Sequence, residues 1–299
     1  LRTEERDSRE TDDAPHSGIP RGLRYMATGA FFFSVMSLLV KLAGRGVPSQ
    51  EIVFARSLIM TVLSFALLRR QGIAPLGRQR GLLIVRGLFG FAALSCFYYA
   101  IVHLPLADAT VIQYTNPVFT ALLAAVLLSE RLRLREVGLV LVSLAGVVLM
   151  ARPAFLFGGV SERLDMVAAG IALLGAVLSA GAYVTVRRLG ATEDPLVIVF
   201  YFAALSTIGS LPLTAMDAVM PTAAEWAALA GIGVLTQFGQ VLMTKGLRAE
   251  AAGRAMAVGY MQIVFAAIWG ALFFAEFPDL WGFAGALLIV AGTFGIARR

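Results

Sequence analysis

The sequence ADATVIQYTNPVFTALLAAVLLSE occupies residues 107–130, and a related sequence, GRAMAVGYMQIVFAAIWGALFFAE, occupies residues 253–276. Each is long enough to cross a bilayer, because a helical span needs about 20 mostly apolar residues. Identical residues recur 146 positions apart in the two stretches: Tyr114 and Tyr260, Val118 and Val264, Phe119 and Phe265, and Glu130 and Glu276. The chain therefore contains a membrane-spanning unit that occurs twice.

The composition extends this membrane character to the whole chain. Of its 299 residues, 59% are hydrophobic and only 15% are charged, and the mean hydropathy is +0.80. A soluble domain carries about 25% charged residues, so this chain cannot cover a water-facing surface. An ordinary soluble enzyme, a disordered chain and a disulfide scaffold are excluded, the last because Cys96 is the only cysteine. The lipid bilayer is the expected surroundings.

Ten apolar segments, numbered as spans 1 to 10, are long enough to be transmembrane helices. They are residues 23–43, 50–68, 82–103, 107–128, 135–151, 165–187, 195–215, 223–245, 253–274 and 280–297. The connectors are short and hold most of the prolines, which end helices. The fold class predicted is therefore an all-α integral membrane protein of ten helices, in two five-helix repeats.

The basic residues predict opposite orientations for the two repeats. Five spans per repeat is an odd number, so the second repeat enters the membrane from the other side. Arg131 and Arg133 follow span 4, whereas their counterparts Phe277 and Asp279 follow span 9 without positive charge. Because cytoplasmic loops are rich in Lys and Arg, both termini are predicted to be cytoplasmic. Inverted repeats of this kind are typical of secondary transporters, which bind substrate in a central cavity between them.

Three segments follow from this division. Residues 1–22 are polar and are predicted to be a disordered cytoplasmic tail. Residues 23–152 form the first five-helix repeat, and residues 165–299 form the second, inverted repeat.

Polar residues in the middle of spans 4 and 9 are the first candidates for substrate binding, because polar groups are costly in lipid. Span 4 carries Gln113, Tyr114 and Asn116 before Pro117, which weakens the helix there. Their counterparts in span 9 include Tyr260 and Gln262, so Asn116 and Gln262 are equivalent amides. Either this pair binds substrate, or it clasps neighbouring helices.

Further polar residues lie in spans 1, 3, 6 and 8 and complete the predicted substrate-binding set. They are Gln237, Gln240 and Thr244 on one face of span 8, Ser95, Tyr98 and Tyr99 in span 3, Ser37 in span 1, and Tyr183 in span 6. The alternative for each serine is a hydrogen bond to its own helix. Trp269 is a candidate gate, with helix packing as its alternative, and His103 is a candidate pH sensor or an ordinary interfacial histidine.

No Asp or Glu lies in the middle of a span, so a proton relay through a buried carboxylate is not expected. Arg56 and Arg86 lie one to two turns inside spans 2 and 3. Either they extend to the membrane surface, or Arg56 contacts a substrate carboxylate. The cavity is expected to be aromatic, amide-rich and nearly neutral, which suits an uncharged or zwitterionic molecule.

Several motifs resemble the EamA branch of the drug/metabolite transporter superfamily. They are FAR at 54–56, YYAIVHLPLADA at 98–109, NPVFTAL at 116–122 and SERL at 129–132, with a weaker copy in VFAA at 264–267. The resemblance covers both repeats. It implies a cavity lined by spans 1, 3, 4, 6, 8 and 9, and the chain is also similar to bacterial exporters of aromatic and neutral amino acids.

The function predicted is a secondary transporter of the bacterial inner membrane that exports amino acids by alternating access. The alternatives are a carrier of nucleosides, cationic drugs or other metabolites, and a channel. The motifs of common hydrolases, metal centres and phosphate-binding loops are missing from the sequence, so no catalytic residue, cofactor or metal is expected. The basic pI reflects loop arginines rather than nucleic-acid binding. A small-molecule substrate is the expected partner, and the functional unit is expected to be a monomer.

Overall fold

The computed structural model describes residues 19–43, 46–131, 133–157 and 165–298. Residues 1–18 of the predicted tail lie outside the described residues. Arg21 and Gly22, the last two residues assigned to that tail, belong instead to the first helix.

Thirteen helices occupy the described residues. They are α1 (Arg21–Ala43), α2 (Ser49–Arg70), α3 (Arg80–His103), α4 (Leu106–Gln113), α5 (Asn116–Leu128), α6 (Leu134–Ala151), α7 (Ala154–Phe157), α8 (Met166–Leu189), α9 (Pro195–Asp217), α10 (Ala223–Ala249), α11 (Ala252–Val258), α12 (Met261–Phe274) and α13 (Leu280–Ala297). Within the described residues they form ten segments long and apolar enough to cross a membrane, with α4 and α5 together as one and α11 and α12 as another. The ten predicted spans are confirmed.

Spans 4 and 9 are both interrupted, at equivalent positions. The helix axis breaks at Tyr114 in the first repeat and at Tyr260 in the second, two residues 146 apart. Pro117 follows the first break, but no proline accompanies the second. Proline is therefore not required for the interruption, and the shared feature is a tyrosine at the turn.

The helices pack as a two-fold axis between the repeats requires. Span 1 (α1) packs on span 8 (α10), and their equivalents α8 and α3 pack on each other. Two further helices pack directly on their equivalents in the other repeat: α2 packs on α9, and α6 packs on α13. Exchanging the two repeats leaves this pattern unchanged, which is the arrangement expected of an inverted repeat.

The contact between α6 and α13 depends on glycine. A Cβ atom added to Gly146 would lie 2.5 Å from the carbonyl oxygen of Gly285, and one added to Gly285 would lie 2.5 Å from that of Gly146. Because lipid supplies no hydrophobic drive for helix association, such close backbone approach provides the packing energy.

Four spans of the second repeat begin at side-chain caps. Asp165 precedes α8, Asp194 precedes α9, Thr222 precedes α10 and Asp279 precedes α13, and each accepts a hydrogen bond from a backbone N–H of the first turn. The Gly282 N–H and the Arg152 guanidinium both favour the charged form of Asp279 and hold the pKa of its carboxyl below the ordinary value. These caps satisfy backbone N–H groups that the first turn of each helix leaves free.

Candidate functional site

A cavity of about 130 Å³ lies inside the bundle, between helices of both repeats. Its polar lining consists of Arg56, Arg86, Gln113, Ser179, Tyr183 and Gln240, and its apolar lining includes Phe97 and Phe202. The lining comes from α2, α3, α4, α8, α9 and α10, which are spans 2, 3, 4, 6, 7 and 8. The expectation that spans 1 and 9 line the cavity is therefore not met, and spans 2 and 7 take their place.

Arg86 is the most buried charged side chain of this cavity, with 2% of its surface exposed. Its guanidinium lies 4.5 Å from the ring centre of Phe202, and Nη2 lies 3.5 Å from Oε1 of Gln240. Nε has no hydrogen-bond partner. The prediction that Arg86 extends to the membrane surface is wrong, because its side chain runs along α3 past Gly90, where the missing Cβ leaves room for Nη1.

Arg56 is the second cation of the lining. Its Nε is also buried and has no hydrogen-bond partner. Within the described part of the chain, the residues that line the cavity include no Asp or Glu, and neither Arg56 nor Arg86 forms an ion pair there. Because two arginines line the cavity, the expectation of a nearly neutral cavity is also wrong. A buried charge without a partner is costly.

Three residues of the predicted binding set line this cavity. Gln113 donates through Nε2 to Ser179 Oγ at 3.1 Å and leaves Oε1 without a partner. Tyr183 and Gln240 complete the three. They supply an unpaired carbonyl oxygen, a phenol and an amide beside the two guanidinium groups.

The residues at the two interrupted turns bind each other rather than line the cavity. The buried Tyr260 hydroxyl donates to the backbone oxygen of Tyr114 at 2.8 Å, and their ring centres are 5.9 Å apart. Asn116 donates to the backbone oxygen of Gln113 at 2.9 Å and so satisfies its own broken helix. These contacts join the centres of the two repeats.

Span 1 is joined to span 9 by two further hydrogen bonds. Gln262 donates to Ser37 at 3.4 Å, and the indole N–H of Trp269 donates to Ser34 at 2.9 Å. Ser37 also donates to the backbone oxygen of Phe33. Gln262 therefore contacts span 1, whereas Asn116 contacts its own span.

The other predicted residues lie in different surroundings. Gln237 and Ser64 exchange hydrogen bonds at 2.8 and 3.1 Å, and Gln237 lines a separate crevice between α2, α9 and α10. Thr244 is buried, and its hydroxyl has no partner. The remaining four are in span 3: Ser95 donates to the Phe91 oxygen, Tyr98 packs edge-on to Phe97, and Tyr99 stacks on His103.

Sequence reasoning offered Ser179 of span 6 only as a lone serine with its own helix as the alternative partner, missed Phe202 as a cavity residue, and gave Arg86 only a surface role. The signal was an arginine one to two turns inside an apolar helix, which is rare in membrane spans. Depth alone does not tell which way a long side chain turns, since that depends on the neighbouring helix.

Two equivalent ion pairs lie at opposite faces of the bundle. We call the face that holds Arg21 and Ala297 the terminal face, and the opposite one the far face. On the terminal face, Arg187 Nε binds Glu130 Oε1 at 2.9 Å, and the other oxygen of Glu130 accepts the Ala252 N–H at 2.9 Å. Arg187 also donates to the backbone oxygen of Arg248 at 2.6 Å. This terminal pair therefore connects α5, α8, α10 and α11.

The far face carries the equivalent pair. Lys41 Nζ lies 2.7 Å from both carboxylate oxygens of Glu276. Lys41 is the counterpart of Arg187, and Glu276 is the counterpart of Glu130, each 146 residues away. A second far-face pair, Arg152 with Asp279, lies beside it.

Comparison with known proteins gives a consistent result. The EamA-like transporter family matches residues 20–152 and 166–298. The "Pseudopaline exporter CntI" of Pseudomonas aeruginosa is 40% identical over 278 residues, which cover 93% of this chain and 96% of that protein. "Solute carrier family 35 member G1" of Mus musculus is 36% identical and covers 96% of this chain and 80% of its own.

A solved crystal structure superposes with a TM-score of 0.80 at 21% identity, over 92% of this chain and 95% of its own, which shows the fold alone. The family and these relatives are transporters, not enzymes. The chain is a multi-pass membrane protein and a secondary transporter, and it belongs to the EamA-like transporter family.

Proposed function

We propose that this chain exports small carboxylate-bearing metabolites, amino acids or derivatives of them, from the cytoplasm by alternating access. The observation that carries the proposal is Arg86, a buried guanidinium that lines the cavity without an acidic partner. A substrate carboxylate supplies the missing negative charge. Guanidinium suits this role because its planar N–H groups match both oxygens of a carboxylate.

The remaining lining fits the rest of an amino acid. The unpaired Gln113 oxygen accepts a hydrogen bond from an ammonium group. Phe97 and Phe202 offer apolar surface to a side chain. A cationic drug is disfavoured, because two positive charges already line the cavity and like charges repel in a low dielectric.

The relatives and the charge distribution support the proposed direction and location. A protein 40% identical is named an exporter, and it is bacterial. The arginines near span ends are concentrated on the terminal face, which we therefore assign to the cytoplasm of a bacterial inner membrane. The two-fold arrangement of the repeats supports alternating access, because each half takes the role of the other when the carrier reverses.

Counterflow in liposomes that contain only the purified protein tests the function. Vesicles loaded with an unlabelled amino acid are expected to accumulate a labelled trace of it transiently. Arg86→Gln is expected to lower the initial rate at least about tenfold, as the loss of a hydrogen bond to a charged group does. Arg80→Gln, at the exposed start of the same helix, is the matched control.

Other outcomes would contradict the proposal. Overshoot for a nucleoside or a cationic drug, but for no amino acid, would replace the substrate class. Equilibration without overshoot for every compound would indicate a channel. An Arg86→Gln protein that folds and transports amino acids at the wild-type rate would remove Arg86 from the site.

A further inference from the structure

The cavity holds one more cation than a single amino-acid carboxylate neutralises. Arg86 lies six residues from the terminal-face end of α3, and Arg56 lies seven residues from the far-face end of α2. At 1.5 Å per residue these depths are about 9 and 10 Å, from opposite faces. Both guanidinium groups line the same cavity, and their Cα atoms lie nearer to opposite faces of the bundle.

Neither guanidinium is satisfied by the protein. Each leaves a buried Nε without a hydrogen-bond partner, and the lining in the described residues offers no carboxylate to either. The neutral polar groups of the cavity are the amides of Gln113 and Gln240 and the hydroxyls of Ser179 and Tyr183. Of the two amides, Gln240 lies near Arg86, at 3.5 Å. A ligand with one acidic group compensates one arginine and leaves the other unpaired.

We infer that the substrate carries two acidic groups at opposite ends, one bound by Arg86 and one by Arg56. This inference rests on the proposed function and narrows its substrate class from amino acids in general to dicarboxylic amino acids and their derivatives. Arg56 thereby becomes a specificity-determining residue, which selects the second acid rather than the amino-acid core.

A matched series of compounds tests this inference. Counterflow is measured for aspartate, glutamate and 2-aminoadipate, which differ in the spacing of their acids, and for the amides asparagine and glutamine. At least one diacid is expected to be transported about tenfold faster than its amide, since one buried charge-assisted contact contributes about 1.5–3 kcal/mol. Arg56→Gln is expected to abolish this preference and to retain transport of the amide.

The controls keep this test separate from the test of function. Arg56→Lys retains the charge and is expected to retain the preference, and Arg70→Gln, at the exposed end of the same helix, is expected to leave it unchanged. Equal rates for diacids and amides would overturn the two-acid inference while the export function stands. Absence of transport for every amino acid in folded protein would overturn both.

A second inference rests on the ion pairs at the two faces. Each glutamate follows a residue with a left-handed backbone, Ser129 and Ala275, both at φ 55°. This conformation is unfavourable for residues other than glycine. The two helices α5 and α12 therefore end in the same strained way, and each presents a glutamate to a cation of the other repeat.

The two pairs differ in how far they are shielded from solvent. The side chains of Arg187 and Glu130 are 29% and 18% exposed, whereas those of Lys41 and Glu276 are 48% and 59% exposed. Glu130 also accepts the Ala252 N–H. The equivalent bond, from the Leu106 N–H to Glu276, is missing among the described residues.

We infer that the two pairs are alternating gates, and that the structure has the terminal gate in its more shielded form and the far gate in its more exposed form. When the carrier reverses, Glu276 gains the Leu106 N–H and Glu130 loses the Ala252 N–H. The same local structure thus serves both faces, and strain at Ser129 and Ala275 keeps either end from being too stable to open.

Sided labelling of a cavity cysteine tests the gates. Ser179→Cys, in the cavity lining, is introduced into a Cys96→Ser protein, and a membrane-impermeant thiol reagent is applied from each side. Glu130→Gln is expected to increase labelling from the terminal face, and Glu276→Gln to increase it from the far face and decrease it from the terminal face. Changes of the same sign in both variants when labelling is applied from the same face would indicate two structural contacts and would overturn the gates.

Discussion

The Glu130–Arg187 and Glu276–Lys41 pairs occupy equivalent positions in the two repeats, yet their surroundings differ. The first is largely shielded and also holds backbone groups of α10 and α11, whereas the second is half exposed and joins two side chains only. The residues that form both pairs are encoded by the repeat. The two cations differ, arginine in the first pair and lysine in the second, and the difference in shielding is the one expected for a carrier at one end of its cycle.

Charge reversal at Arg187 and at Lys41 is expected to give the largest difference between the two pairs. Arg187→Glu places a negative charge beside Glu130 and two carbonyl oxygens, and we expect transport to fall about tenfold or more, as for loss of a charge-assisted bond. Lys41→Glu affects a half-exposed pair, for which the expected loss is about threefold or less. Counterflow rates at equal protein density measure both.

Restoring the pair is the control for charge reversal. Glu130→Arg combined with Arg187→Glu is expected to recover part of the lost transport, but not the bond to the Ala252 N–H. Equal losses at Arg187 and Lys41 would show that the asymmetry between the two faces has no energetic consequence.

Substitution of the two tyrosines at the interrupted turns is expected to have the next largest effect, on stability. Tyr260→Phe removes the hydrogen bond to the Tyr114 oxygen and leaves that acceptor unpaired, so we expect a loss of about 1–3 kcal/mol of stability. Tyr114→Phe is the matched variant and is expected to cost less, because no hydrogen bond from its hydroxyl is present in the described residues. The midpoint of thermal unfolding in detergent compares the two.

The amides Asn116 and Gln262 test whether equivalent positions share a role. The double variant Asn116→Ala with Gln262→Ala is expected to lower transport and leave the fold intact. Asn116 donates a hydrogen bond to the backbone oxygen of Gln113, and Gln262 donates one to Ser37. If these bonds only hold helices together, each contributes about 0.6 kcal/mol to stability. Full transport by the folded double variant would reduce the pair to such clasps.

The smallest expected effect concerns the strained residues before the two glutamates. Ala275→Gly and Ser129→Gly relieve a left-handed backbone, and each is expected to raise the stability of the folded protein by up to about 1 kcal/mol. The gain is expected to be similar at both positions, because their φ angles are equal. A loss of stability in either variant would contradict the assignment of strain.

Sequence alone was sufficient to predict the spans, the repeat and the interruption near Pro117. The length of each apolar segment, the constant offset of 146 residues and the proline can all be read directly from the sequence. It was insufficient for the cavity. The position of Arg86 in its helix is compatible with a side chain that extends to the membrane surface. Only its packing against Phe202 and Gly90 shows that the side chain points into the cavity. Likewise Asn116 and Gln262 are equivalent in sequence, but each finds the hydrogen-bond partner that is nearest in the folded bundle.

The assignment of a carboxylate to Arg86 is the central claim, and equilibrium binding to the purified protein tests it most directly. A ligand that binds the folded state raises the unfolding midpoint in proportion to its occupancy. Glutamate or 2-aminoadipate is expected to raise the midpoint of the wild-type protein, and leucinamide, which lacks a carboxylate, is expected to leave it unchanged. Arg86→Gln is expected to remove the shift, and Arg80→Gln to retain it. An equal shift with leucinamide, or an undiminished shift in Arg86→Gln, would contradict the central claim.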